Sequence, residues 1–398
     1  MSEVVTLHYG KALRENERIH GEIPVYGTNG ITGWHNQALG SGPTVILGRK
    51  GMGNLGVEWC EGPFWVIDTA YFTTFDEEVL YPKYFFYFTN FVGLNHLKDG
   101  TSNPSLTREV FSRQLLPLPP LNQQRTIADI LGALDDKIEL NRRMNATLEA
   151  TARALFQSWF VDFDPVRAKA EGRQPEGMDA ETAALFPDAF EESALGLIPK
   201  GWSWGRVSDV CNSITSGGTP STQNPDFWNG DIPWLSSGET RERFIITTEK
   251  TITPRGVEQS STRLARAWTT VIASAGQGHT RGQTSLLLFD SYINQSVVGV
   301  KANYDILSDL YIFFDLSRRY EEMRRISDAH SSRGSLTTRL VGDMRVVVPT
   351  IEIIEVFDRF VVPIIESIAS KMQESRTLAE MRDALLPKLI SGEVRVGG

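Results

Sequence analysis

Two glycine-rich stretches carry the side chains best suited to chemistry with an anion. They read 48-GRKGMGNLG-56 and 276-GQGHTRGQT-284. Glycines let a backbone approach a phosphate closely, while Arg49, Lys50 and Arg281 are cationic donors that suit phosphate oxygens or guanine edges. Gly51, Gln277 and His279 complete the candidate contacts in these two loops. Two further stretches, 100-GTSNPS-105 and 330-HSSRGS-335, are dense in short hydrogen-bonding side chains. Their candidates are Thr101, Ser102 and Asn103 in the first, and Ser332 and Arg333 in the second. A last group, Arg241, Arg243, Lys250, Arg255, Arg263 and Arg266, lies between Trp234 and Thr270. All of this is the chemistry of binding.

Catalytic constellations are missing from the sequence. The string 51-GMGNLG-56 matches G-x-G-x-x-G, but a dinucleotide site needs a helix to follow, and VEWCEGPFWVIDTAYF is strand-like. There is no G-x-x-x-x-G-K-[ST] loop, and the six histidines show no clustered metal-ligand spacing. The Asn-Pro pairs read NPSL and NPDF, so neither is the [ND]-P-P-[YF] tetrapeptide with which amino-methyltransferases hold a target base. Cys60 and Cys211 form neither a disulfide framework nor a metal cluster and fit a reducing cytoplasm. The opening MSEVVTLHYG lacks the features of a secretory signal. No apolar run approaches the ~18 residues of a membrane span, so no membrane partner is expected.

The net charge of −9 argues at first against a polyanionic partner. Its distribution removes the objection. Residues 171–200 alone carry −5, against −3 for 1–120, 0 for 121–170, +1 for 201–348 and −2 for 349–398. The acidic thirty-residue stretch reads as a solvated linker, and the rest is near neutral, so basic loops remain free to face phosphate.

The loops sit on a repeated scaffold. Ser105-Leu106-Thr107 matches Ser335-Leu336-Thr337 at an offset of 230, which also places Pro119 on Pro349 and Leu148 on Leu378. Upstream the order persists while the offset drifts: Tyr84 pairs with Tyr311, Ile67 with Ile293, Ile46 with Ile272, and 21-GEIP with 230-GDIP. Duplication followed by loop insertion produces that pattern. Within each copy TVILG (44–48), 63–75, SLLLF and 292–300 read as strands, and 82–97 and 306–326 as helices whose aromatics belong to the core. The basic group at 241–266 falls in the largest insertion; the matching segment 25–44 has no Lys or Arg, so the two copies differ most where they would contact a ligand.

Each copy ends in a long helix. With Ile127 as a, the seam of the first is Ile127, Leu131, Leu134, Ile138, Asn141, Asn145, Leu148, Ala152, Leu155 and Trp159. The second gives Phe357, Val361, Ile364, Ile368, Lys371, Ser375, Leu378, Arg382, Leu385 and Leu389. Apolar a and d positions over five heptads predict a coiled coil, and the polar middle layers fix its register. Domain order favours an antiparallel pair. Pro363 predicts a kink or a late helix start. A helix of about 35 residues is roughly 50 Å long and makes a spacer between two binding domains, which suits duplex DNA with two separated half-sites. The predicted fold is mixed α/β: domains 1–120 and 201–348, helices 121–170 and 349–398, and a linker 171–200.

The run 117-PLPPLNQQRTIADILGALDDKIELNRRMNATLEATARALFQSWFVDFDPVRAKAEG-172 resembles the central region of type I restriction–modification specificity subunits. So do 185-LFPDAFEESALGLIPKGW-202 and 383-DALLPKLISGEVRV-396, and the resemblance covers nearly the whole chain. It implies two target-recognition domains, each reading half of an asymmetric bipartite site in double-stranded DNA, with no catalysis in the chain itself. It implies that the helices, including Trp159, Phe160 and Phe163, dock two modification subunits that bind S-adenosylmethionine. Restriction subunits using ATP and Mg would join them. A module of a methylation-only defence system, or of a stand-alone methyltransferase–nuclease, is the alternative.

Overall fold

The computed structural model describes residues 1–100, 104–276, 278–330 and 334–394. The chain forms two compact units: Met1–Leu140 together with the C-terminal residues from Ser375, and Asn141–Glu374. The division therefore cuts both long helices near their middles, where the sequence reading had placed boundaries at their ends. The central helix is Leu121–Phe160 and the C-terminal helix is Ile351–Ser391.

The first unit holds β1 (Val5–Tyr9), β2 (Ile23–Gly27), β3 (Gly30–His35), β4 (Gly40–Ser41), β5 (Thr44–Gly48), β6 (Val57–Cys60), β7 (Pro63–Val66) and β8 (Ala70–Phe75). They make two four-stranded sheets, ordered β1-β8-β5-β6 and β3-β2-β7-β4, the second containing a parallel β2/β7 pair. Helix α1 (Pro82–Val92) covers the first sheet with Tyr84, Phe85 and Phe88, while the central helix adds Ile127 and Leu131 to the same core. Phe91, expected on the buried face, is 47% exposed.

The second unit repeats this topology with β9 (Cys211–Ser216), β10 (Trp228–Leu235), β11 (Phe244–Ile245), β12 (Lys250–Ile252), β13 (Arg263–Ala265), β14 (Thr270–Ala273), β15 (Thr284–Leu287), β16 (Ser291–Ile293) and β17 (Val297–Ala302). The sheet orders are β9-β17-β14-β15-β11 and β12-β10-β16-β13, again with one parallel pair, β10/β16, in the second sheet. Helices α2 (Asp309–Ser317) and α3 (Tyr320–His330) replace the single helix predicted over 306–326. Tyr84 and Tyr311 are both buried and donate to the carbonyls of Pro117 (3.1 Å) and Val347 (2.7 Å), which are themselves 230 residues apart. Thr107 and Thr337 each cap the next short helix.

Register corrects the repeat by one residue. Tyr26 faces Val66 and Leu235 faces Ile293 across the parallel pairs, so Val66, not Ile67, is the partner of Ile293. Leu47 faces Tyr71 and Ile272 faces Val298, so Leu47, not Ile46, matches Ile272. Core membership agrees, since Leu47 and Ile272 point to the helix side and Ile46 and Val271 to the other face. A slip of one residue reverses every side chain of a strand, so sequence identity alone misassigns it.

The long helices carry the predicted seam. All twenty seam positions are buried or half-buried. Within the second unit Asn141 donates to Glu374 at 2.8 Å and Phe156 lies against Phe357, so the two helix segments run antiparallel there, and within the first Arg382 pairs with Asp135 at 2.7 Å. The C-terminal helix runs from Ile351 through Pro363, so there is no late start; Pro363 faces solvent, where the carbonyl it frees can meet water. The central helix stops at Phe160, short of 170, and Phe163 turns the chain with φ 56° before Asp164–Ala170. Phe163 thus lies outside the long helix and packs edge-on against Trp202 and Phe190.

The acidic stretch 171–200 is no solvated linker. It forms helix Ala180–Leu185 and the hairpin Phe190–Ser193/Gly196–Pro199, and it buries Phe186 and Ile198 in the core of the second unit. Its carboxylates occupy the outer face, which is why composition alone reads as solvated.

One half-buried carboxyl gives a pH dependence. Burial pushes Asp358 up to about 6; the Ser308 hydroxyl, donating at 2.8 Å, offsets part of this and Asp309 adds to it. A folded-state value above the unfolded one means the contribution is present below about pH 4 and lost as pH rises to about 6. Asp358→Asn is therefore expected to exceed the parent in stability at pH 7, by about 1–2 kcal/mol after allowance for partial solvent screening, and to match it at pH 4. Melting temperatures of both proteins at the two pH values check this, and equal values at pH 7 would contradict it.

Candidate nucleic-acid interface

The loop between β5 and β6 and the loop between β14 and β15 occupy the same place in the two units. In the first, the Leu106 amide donates to the Arg49 carbonyl (2.8 Å) and the Gly51 amide to the Pro104 carbonyl (3.2 Å), so the glycine-rich loop and the 100–105 stretch are neighbours. In the second, the Leu336 amide donates to Ser274 (2.9 Å) in the matching place. The strand registers then put Gly51 opposite Gly276, and both adopt positive φ, 138° and 146°. A side chain there would be strained, so each glycine is required by the turn its loop makes.

The first loop is tightly held. Thr28 donates through its hydroxyl to the Lys50 carbonyl (2.7 Å), Lys98 reaches the carbonyls of Gly53 (2.7 Å) and Gly51 (3.3 Å), and Asn95 accepts from the Leu55 amide (2.9 Å). Arg49 is half-buried and donates to the Asp68 carbonyl at 2.7 Å. Lys50 bridges to Ser105. Arg49, Lys50 and Gly51 are thus brought together, and Lys98 joins them without having been singled out in the sequence. Thr101, Ser102, Asn103, Gln277, Ser332 and Arg333 lie outside the described residues.

The second unit treats its cations differently. Arg281 is 6% exposed and ion-paired to Asp328, while Tyr320 and Arg324 of α3 donate to the carbonyls of His279 (2.9 Å) and Gly278 (2.6 Å). Arg281 therefore fastens the loop to α3, and the expectation of a phosphate or guanine contact is corrected. Arg243 is half-buried and also engaged: it pairs with Glu149 of the central helix (3.1 Å), donates to Ser317 (2.9 Å), and lies over Phe313. Burial holds its pKa below the ordinary arginine value. Arg241 is exposed but paired to Glu249 (2.6 Å), Arg255 to Asp226 (3.1 Å) and Arg266 to Asp290 (2.6 Å). The Ala267 amide and Arg266 hold the Asp290 carboxyl below its usual range. Glu249 and three carboxylates from outside the insertion thus pair four of the six cations that made it look basic. His279 remains in the loop, where its carbonyl is engaged.

No group of three or more His, Cys, Asp or Glu side chains suited to a metal occurs among the described residues. The geometry supports binding through loops and backbone.

Residues 1–150 match the model of the type I restriction modification DNA specificity domain. The chain is 30% identical to the type I restriction enzyme HindI specificity subunit of Haemophilus influenzae over 75% of this chain and 72% of that one. It is 24% identical to the EcoR124I/EcoR124II specificity subunit of Escherichia coli, over 85% and 79% respectively. Its fold is similar to the type I restriction–modification system S subunit from M. genitalium, with a TM-score of 0.64 at 14% identity, covering 97% of this chain and 94% of that one.

Proposed function

Because the chain belongs to the type I restriction–modification specificity subunits, we propose that its two units each read one half of an asymmetric, bipartite site in double-stranded DNA. A specificity subunit supplies recognition to a complex and leaves catalysis to its methyltransferase and restriction partners. The observation that carries the two-half reading is the repeated loop: Gly51 and Gly276, both at positive φ, each lie two residues after the carbonyl, of Arg49 or Ser274, that accepts from Leu106 or Leu336, and the second unit keeps the first unit's strand order with β11 added at one sheet edge. One scaffold with two sets of exposed loops suits two unlike half-sites. The paired long helices are the ruler that sets the gap between them, and their outward faces serve two modification subunits. Its place of action is the cytoplasm, with the DNA it reads.

Mapping of adenine methylation by single-molecule sequencing tests this, in cells carrying the chain and its cognate methyltransferase. A single gapped, bipartite motif that disappears on deletion of the chain is expected. Methylation unchanged by the deletion would refute the assignment.

A further inference from the structure

We propose that Arg49, Lys50, Lys98 and Arg108 form a clamp for the DNA phosphate backbone beside the first half-site, organised around the exposed ring of Tyr9. The inference rests on the DNA-reading function above and adds the ligand chemistry of one surface. Tyr9 ends β1, is 50% exposed, and has two guanidinium groups over its ring, Arg108 at 4.2 Å and Arg49 at 4.8 Å from the centroid. Arg49 also lies 5.6 Å from the Tyr71 ring. Lys50 follows Arg49 in the loop, and Lys98 is fixed to the carbonyls of Gly51 and Gly53 in that same loop.

What sets this cluster apart is how its charges are held. Among the described residues no ion pair to a carboxylate engages any of the four cations; the recorded partners of Arg49, Lys98 and Arg108 are carbonyls and ring faces. Five arginines of the second unit, by contrast, each have a carboxylate. Gathering like charges around one ring costs Coulomb energy that an arriving anion removes. Carbonyls and ring faces orient a cation without cancelling its charge, and ring faces attract it.

The repeat supplies the internal comparison. The strand and helix registers that align Tyr71 with Val298 and Leu106 with Leu336 put Ser216 at the place of Tyr9, Ser274 at that of Arg49, Ala275 at that of Lys50 and Thr338 at that of Arg108. The scaffold therefore does not need the cationic cluster in order to fold. It is an addition of the first unit.

Phosphate contacts release counterions, so each one removed flattens the slope of log affinity against log salt by about 0.9. The test uses the full chain in complex with its methyltransferase subunits and a duplex oligonucleotide carrying the methylated motif. Affinity is measured over a range of salt for Lys50→Ala, Arg108→Ala and Arg108→Lys. Expected are a several-fold loss near 0.1 M salt and a flatter slope for the two alanine variants, a parental slope for Arg108→Lys, and an unchanged methylation motif in all. Ser274→Ala, the control in the second unit, is expected to keep the parental slope. Parental slopes in both alanine variants would overturn the clamp. So would an altered base preference in the first half-site, which would make these residues base readers. If the parental complex itself showed neither salt-dependent binding nor a directed motif, the DNA-reading function would fall as well.

Discussion

Insertion of one heptad into each long helix, after Asn145 and after Lys371, is expected to lengthen the gap of the methylated motif while leaving both half-sites unchanged. The antiparallel seam explains why both helices must change. Asn141 donates to Glu374 at 2.8 Å in the polar middle layer, and a lone insertion would slide every apolar layer on one side of that contact. A whole heptad in each strand of the pair keeps a and d facing inward. Seven residues add about 10 Å to each helix, an upper limit of roughly three base pairs at ~3.4 Å each. Sequencing of methylated adenines in cells carrying the variant reads the gap directly. A variant that still methylated with the parental gap would show that the helices are not the ruler.

Replacement of Phe156 by alanine is expected to cost about 3–5 kcal/mol, the usual range for a buried aromatic. Phe156 is 3% exposed, and its ring lies 5.2 Å from those of Phe160 and Tyr311, 5.7 Å from Phe314 and 5.8 Å from Phe357. It therefore joins the central helix, α2 and the C-terminal helix in one core. The second unit should melt roughly 6–20 °C below its parental temperature, given about 2–4 °C per kcal/mol for a domain of this size. Met144→Ala, at a 39% exposed position on the same helix, should move it little. Thermal unfolding of the two variants makes the comparison. Equal shifts would mean that the aromatic cluster contributes no more than a surface residue.

The long helices were legible because a heptad repeat kept over five heptads is a signal that no loop imitates. TVILG was placed to the residue, being a continuous apolar run on the axis of its sheet. The run 63–75 was read as one strand, yet it is β7 and β8 joined by a tight turn, with the Ala70 amide donating to the Ile67 carbonyl. Apolar residues on both sides of that turn hid it. The interface was harder. Sequence shows the sign of a side chain but not its partner, so Arg243, Arg255, Arg266 and Arg281 looked free until Glu149, Asp226, Asp290 and Asp328 were seen beside them. Tyr9 and Arg108 were missed for the converse reason: they are about a hundred residues apart and belong to no motif, and only the β1 edge and the Thr107-capped helix bring them together.

The division of the chain at 140/141 and again at 374/375 has a consequence for how such genes change. Each unit keeps half of either helix with its own core, and all the sheets of the first lie within residues 1–140, so a crossover between two related genes near Asn141 would carry those sheets intact and exchange only the half-helix from Ser375 that packs on them. Asn141 and Glu374 then act as an address at the join, because a polar layer met by an apolar one would leave buried hydrogen-bonding groups unsatisfied. Lineages that keep this layer could shuffle halves freely and acquire a new target in a single genetic event. Point mutation of base-contacting loops would be the slower route.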